Sequence, residues 1–147
     1  MGCDIHLHEE VKINGKWHHY SVRWIHRNYR MFARLADVRN YDINEPEYIQ
    51  PISQPRGIPE DSTELTKFDC DRWGVDGHSH SWIGADEIRE FKEWYAKNHW
   101  AGEKLDSWWF EDIFGYMFSN GWDGFTKYPE DNVSGLEDIR FVFWFDN

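Results

Sequence analysis

The sequence predicts an α+β fold: a single domain in which an N-terminal hairpin and a C-terminal strand share a mainly antiparallel sheet, with three or four helices packed on it. Three observations carry this. The first ten residues alternate polar and apolar and run toward Asn14-Gly15, the strongest two-residue hairpin signal. The stretch Ile139-Arg-Phe-Val-Phe-Trp-Phe145 alternates aromatic residues and also carries Val142 and Trp144 between them, as a central strand buried on both sides does. Between these ends, apolar residues recur at helical spacing in four windows. At 147 residues the chain suits one domain, 1–147, with room for a real core.

In chain order, Met1-Gly-Cys-Asp-Ile-His-Leu-His-Glu-Glu10 reads as a strand with Asp4, His6 and His8 on one face and Cys3, Ile5 and Leu7 on the other. The Asn14-Gly15 turn returns it into a second strand, about Lys16 to Val22. His18 and His19 are adjacent there, so at most one faces the first strand's histidines, and a solvated pair is the simpler expectation. Asn28 caps a short helix ending near Val38, with Tyr29, Phe32, Leu35 and Ala36 at helical spacing. Arg27, Arg30 and Arg34 form a stripe on this segment, able to hold phosphate or carboxylate, or else to pair with acids elsewhere in the chain.

From Asn40 to Pro59 the periodicity stops and four prolines argue against regular structure, which predicts an ordered loop or lid over 40–60. Tyr41, Tyr48, Ile49, Ile52 and Ile58 are its apolar anchors. A second helix begins at Asp61-Ser-Thr-Glu and runs to about Arg72, with Leu65 and Phe68 expected inward. Gly84-Ala-Asp-Glu opens a third through about Asn98, with Ile88, Phe91 and Tyr95 as its buried stripe. Asp106-Ser-Trp-Trp opens a fourth, stopped by Asn120-Gly121, and a Gly- and Pro-bearing connection from Gly121 to Gly135 leads to the last strand.

Composition narrows the function. A net charge of −11 opposes binding to a long nucleic acid, so a small molecule is the expected ligand. No apolar run reaches the length of a membrane span, nothing at the N-terminus reads as a signal peptide, and two cysteines are too few for a disulfide framework. A cytoplasmic protein with free thiols is expected. Ten Trp, ten Phe and seven Tyr supply core, and some of them can stack a flat ligand.

The chemistry lies in a repeated spelling. Asp4-x-His6-x-His8 returns as Asp76-Gly-His78-Ser-His80, and imidazoles two apart on a strand can share an ion. Asp4, His6, His8, Asp76, His78 and His80 are therefore the expected ligands of one or two divalent transition metals, zinc, manganese, iron or nickel. Six donors exceed the four of a closed structural zinc, which points to an open, water-activating centre. Asp76 or Asp71 can orient that water or take its proton. Arg27, Arg30 and Arg34 are the expected phosphate holders, and Tyr29, Trp73 or Trp82 the expected stacking rings, although core packing is the commoner role for an aromatic. The competing reading is that the histidines decorate turns and hydrogen-bond within the hairpin.

The segments MGCDIHLHEEVKINGKW, RNYRMFARLADVRN, PISQPRGIPED and WGVDGHSHSWI resemble a set of small uncharacterised proteins encoded by bacteriophages, over most of the chain. The resemblance implies an origin in a phage-infected bacterium, hence the host cytoplasm, and by analogy with small phage proteins that act on host signals it raises a nucleotide as ligand. The reading that follows is a metal-dependent hydrolase of a phosphoester, a nucleotide or cyclic nucleotide. The alternative is a non-catalytic protein that sequesters a nucleotide-derived ligand.

Overall fold

The computed structural model describes residues 2–42, 48–98 and 136–147. Strands β1 (Asp4–Ile13), β2 (Lys16–Arg23), β3 (Gly77–Gly84) and β4 (Leu136–Asp146) form one antiparallel sheet in the order β2-β1-β4-β3. Helices α1 (Tyr29–Ala36), α2 (Glu64–Trp73) and α3 (Ala85–Asn98) complete the α+β architecture. Among the described residues no helix is long and apolar enough to cross a membrane. The fourth expected helix and the Gly121 to Gly135 connection lie outside the described residues.

The hairpin forms as its turn dictates. Asn14 and Gly15 both take positive φ, 51° and 77°, the conformation a two-residue loop needs to match strand twist. Ile13 then pairs with Lys16. Strand β4 lies between β1 and β3, so both its edges are paired, and Phe141 to Phe145 are all buried. Asp4 pairs with Asp146, which brings the two end strands together along their whole length.

Alternation gives the sheet two chemically different faces. Ile5, Leu7, Ile83, Phe141, Phe143 and Phe145 share one face and pack with Met31, Phe32 and Leu35 of α1 and Ile88, Phe91 and Tyr95 of α3. Asn28 caps α1 by accepting the Met31 N–H at 3.1 Å, as its sequence position predicted. The other face carries His6, His8, Glu10, Arg140, Val142 and Trp144, and α2 meets it with polar side chains.

That polar contact overturns one expectation. Leu65 and Phe68 of α2 are exposed, and Thr66 is the residue it buries. The sheet face under α2 offers Glu10 and His8 rather than hydrocarbon, so the helix turns its hydrogen-bonding stripe inward. Gly74, at φ 52°, ends α2. In the loop after α1, Ile49 and Pro51 are buried and Ile52 N–H bonds Arg34 O at 2.7 Å, whereas Tyr41 and Tyr48 are exposed. Residues 43–47 of that loop lie outside the described ones.

Candidate functional site

The polar face is organised around Trp144, which is fully buried in the middle of the sheet. The rings of His6, His8 and His80 lie roughly parallel to its indole, with centroids 6.1, 5.2 and 6.0 Å away. Three of the four histidines in the repeated motif thus gather on one side of the sheet, but around an aromatic ring. Trp73, from the end of α2, closes over His6 with ring centroids 4.0 Å apart. The indole N–H groups of Trp73 and Trp144 are both buried with no hydrogen-bond partner among the described residues.

His78 is the exception. It pairs with Phe145 and stacks on it at 6.2 Å, on the helix-covered face opposite His6 and His8. The cause is a β-bulge between His78 and Ser81, where Ser79 adopts φ 54°. One inserted residue reverses the faces of everything before it, so the two histidines of His78-Ser-His80 look in opposite directions. Asp76 precedes the strand, in an exposed 3-10 turn.

The remaining expected ligands are engaged elsewhere. Asp4 accepts two bonds from Arg27, at 3.0 and 2.9 Å, which hold its carboxyl below the ordinary range. His6 Nε2 meets Asp146 Oδ2 at 2.7 Å. His8 has both ring nitrogens occupied. The six donors Asp4, His6, His8, Asp76, His78 and His80 are therefore not held as one coordination set, and no group of three His, Cys, Asp or Glu among the described residues is placed to hold a metal.

The arginine stripe is also committed. Arg30 donates to Asn98 O at 3.1 Å, and Arg34 donates to Gln50 O at 2.7 Å and lies over Trp94. These residues belong to α1, across the sheet from the imidazoles. Tyr29, half-buried against the core, accepts the Cys3 N–H and packs on Phe32, and Trp82 lies under the Arg56 guanidinium at 4.9 Å.

What the polar face builds is a chain of hydrogen bonds. Asp69 Oδ2 lies 2.8 Å from His8 Nε2, and His8 Nδ1 lies 2.9 Å from His19 Nε2. His8 is completely buried, whereas His19 lines an open cleft of about 600 Å³. Burial pushes the Asp69 carboxyl up, but the bonds from Arg72 and His8 outweigh it and keep the group ionised below the ordinary carboxylate range. Asp69, being ionised, only accepts, so His8 donates to it through Nε2, and in the tautomer with the His8 lone pair on Nδ1 that second nitrogen accepts. His19 must then donate through Nε2, which leaves its lone pair on Nδ1. Burial and the neighbouring His8 lower the His19 pKa, keeping it unprotonated near neutral pH.

Neither end of this chain was assigned a role from the sequence. Asp71 and Asp76, the acids expected there, are both exposed, and the acid that reaches the site is Asp69. Thr66, Asp69 and Trp73 stand at i, i+3 and i+7, the sheet-facing stripe of α2, a spacing visible once Thr66 rather than Leu65 is taken as the inward residue. For His19 the signal was present: counting back from a two-residue Asn14-Gly15 loop places it opposite Glu10, on the face of His8.

The cleft has a wall of its own. Glu10, fully buried, accepts from Thr63 N–H and Oγ1 at 2.8 and 2.7 Å, from Thr66 Oγ1 at 2.8 Å and from Arg140 Nε at 2.8 Å. Burial raises its pKa, but these four donors outweigh burial and lower it below the ordinary range, so it stays ionised. The network fixes the N-terminus of α2 at the cleft, where Thr63, Glu64 and Leu65 form one side and Lys16, Trp17, His18 and His19 the other. Thr63 makes no side-chain bond to the first-turn amides of α2. The structure thus defines a sheet protein with an imidazole relay that ends in a cleft at a helix N-terminus. Comparison with protein-family models, with curated proteins and with solved structures gives no match.

Proposed function

We propose that the protein is a hydrolase of a phosphoester in a small, nucleotide-like ligand, with His19 as general base. The observation that supports this is the Asp69, His8, His19 relay, which spends a buried histidine and an ion on orienting one cleft-lining imidazole. A base must be unprotonated at working pH and within reach of substrate, and His19 meets both conditions. As the oxygen of a water attacks phosphorus, its proton passes to His19 Nδ1. The resulting imidazolium donates from Nε2 to His8, and Asp69 offsets the new charge through the His8 ring. The P–O ester bond breaks, and the leaving oxygen takes a proton from solvent in the open cleft. The positive end of α2 and Lys16 attract the phosphate.

The donors expected to hold a metal do not fit one ion in this arrangement, so no step runs through a metal. The free Cys3 and Cys70 thiols support placing the reaction in a reducing cytoplasm, that of a bacterial host. The test is turnover of a panel of nucleoside monophosphates and cyclic nucleotides by the full chain, compared with His19→Gln. Multiple turnovers lost in the variant support the reading, and intact recovery of every substrate overturns it.

A second reading, sequestration without turnover, draws on Trp73 and Trp144. Two buried indole donors without an acceptor among the described residues each carry a desolvation cost of about 1–3 kcal/mol that a ligand oxygen can offset. Tight binding of a nucleotide that returns chemically unchanged after heat denaturation selects this reading.

A further inference from the structure

Across the sheet from the relay, a cleft of about 300 Å³ opens at the C-terminal end of α1. Four described non-glycine residues have positive φ. Asn14 belongs to the hairpin turn. The other three, Asp37, Arg39 and Ser79, at 61°, 59° and 54°, all line this cleft. The left-handed conformation costs a residue with a side chain about 1–2 kcal/mol, and such strain concentrates where a site needs a particular geometry.

Asp37 has a purely structural explanation. It ends α1, its N–H bonding Ala33 O at 2.9 Å, and its carboxylate gathers Asn40, Tyr48 and Gln54 at 2.7, 2.7 and 3.0 Å. Three donors saturate that carboxylate within its own loop. Arg39 and Ser79 stop no helix and close no hairpin, and what they share is the cleft. Ser79 is the bulge that turns His78 away from the other histidines and toward α1, and Arg39 lies opposite.

Between them sits one oxygen. Asn147 Oδ1 is 3.1 Å from His78 Nε2 and accepts from Arg39 Nη2 at 3.4 Å. A neutral amide oxygen thus occupies the point where a guanidinium and an imidazole converge. An anionic oxygen there makes shorter, charge-assisted bonds to the same two groups. Tyr41, which lines the same cleft, leaves 83% of its surface exposed, so its ring is available to a planar partner.

We propose that this cleft binds a small anion carrying a planar ring, the anion replacing Asn147 Oδ1 between Arg39 and His78 and the ring covering Tyr41. The volume suits a ligand the size of a mononucleotide or an aromatic acid. The site is separate from the His19 cleft and stands whether or not the relay is catalytic.

Calorimetric titration of the full chain with adenosine 5′-monophosphate and with 4-hydroxybenzoate tests it, with inorganic phosphate and adenosine as half-ligands. At least one of the two complete ligands should bind at micromolar concentration and each half-ligand at least tenfold more weakly. Arg39→Ala and Tyr41→Ala should each weaken binding tenfold or more. Asn147→Ala removes the competing oxygen and should strengthen it severalfold. Ser79→Gly relieves the strained backbone, so it should raise the melting temperature while weakening binding, a divergence that a merely damaged fold does not produce. The proposal is overturned if neither complete ligand binds, if phosphate alone binds as well as the nucleotide, or if folded Arg39→Ala binds undiminished.

Discussion

His8 Nε2 and Asp69 Oδ2 lie 2.8 Å apart, joining the middle of β1 to the sheet-facing stripe of α2. Because His8 is wholly buried, that bond serves packing and proton affinity at once. Asp69→Asn keeps an acceptor at the same place but removes the charge that stabilises the imidazolium as it forms. The expected result is a fall in kcat of about 10²-fold or more, the usual worth of a general base, with a folded protein by circular dichroism. Asp71→Asn should leave the rate as it is. The reverse pattern would return the catalytic acid to Asp71.

Stability should depend on pH in two steps. His19 and His80 have pKa values lowered from the ordinary 6.5, burial being the larger cause in both. The unfolded chain therefore binds protons at a higher pH than the folded one, and their contribution is complete above about 6.5 and declines as pH falls toward their folded values. Asp69 and Glu10, lowered from 3.8 and 4.5, contribute fully above those values and lose their contribution at still lower pH. Urea unfolding across pH 3 to 8 should show stability falling monotonically on acidification. A rise in stability between pH 7 and 6 would contradict the His19 and His80 assignments.

Arg140 is buried against Glu10, reaches Asp61 at 2.9 Å and stacks over Trp17 at 3.9 Å. Removing one partner of a buried pair strands the other's charge, so Arg140→Ala should cost about 3–5 kcal/mol. Asp61→Asn, at the exposed end of the same guanidinium, should cost at most about 1 kcal/mol. Equal losses in the two variants would mean that Glu10 finds enough compensation in Thr63 and Thr66 alone.

The elements of this fold were legible because they rest on local chemistry: Asn14-Gly15 for the hairpin, Asn28 for the start of α1, the aromatic alternation of β4. The histidine side of β1 was legible too, since period two held without interruption from Asp4 to His8. Reading failed where a backbone irregularity decided the face. Nothing in Gly-His-Ser-His announces that Ser79 takes a left-handed φ, and that one residue separates His78 from His80. The second failure was to assume that a helix must bury its apolar residues. Over a polar sheet face α2 buries Thr66, turns the half-buried Asp69 toward the sheet and leaves Leu65 and Phe68 outside, so the acid of the relay stood on the stripe a hydrophobic reading discards.

Metal removal distinguishes the site the motifs spell from the site the fold assembles. A metal needs nitrogen and oxygen lone pairs aimed at one point, but both His8 nitrogens already face Asp69 and His19, and Asp4 is held by two bonds from Arg27. Recruiting them would mean breaking a buried hydrogen-bond chain, at about 1–3 kcal/mol for each polar group left unpaired. Hydrolysis should therefore persist after exhaustive dialysis against chelator, and zinc, manganese, iron or nickel should leave the melting temperature within a degree of the metal-free value. Elemental analysis of the purified chain provides the independent check. A stoichiometric ion lost in His6→Ala, together with activity that chelator abolishes and metal restores, would show that Asp4, His6 and His8 rearrange around a metal. The relay would then describe only the metal-free form.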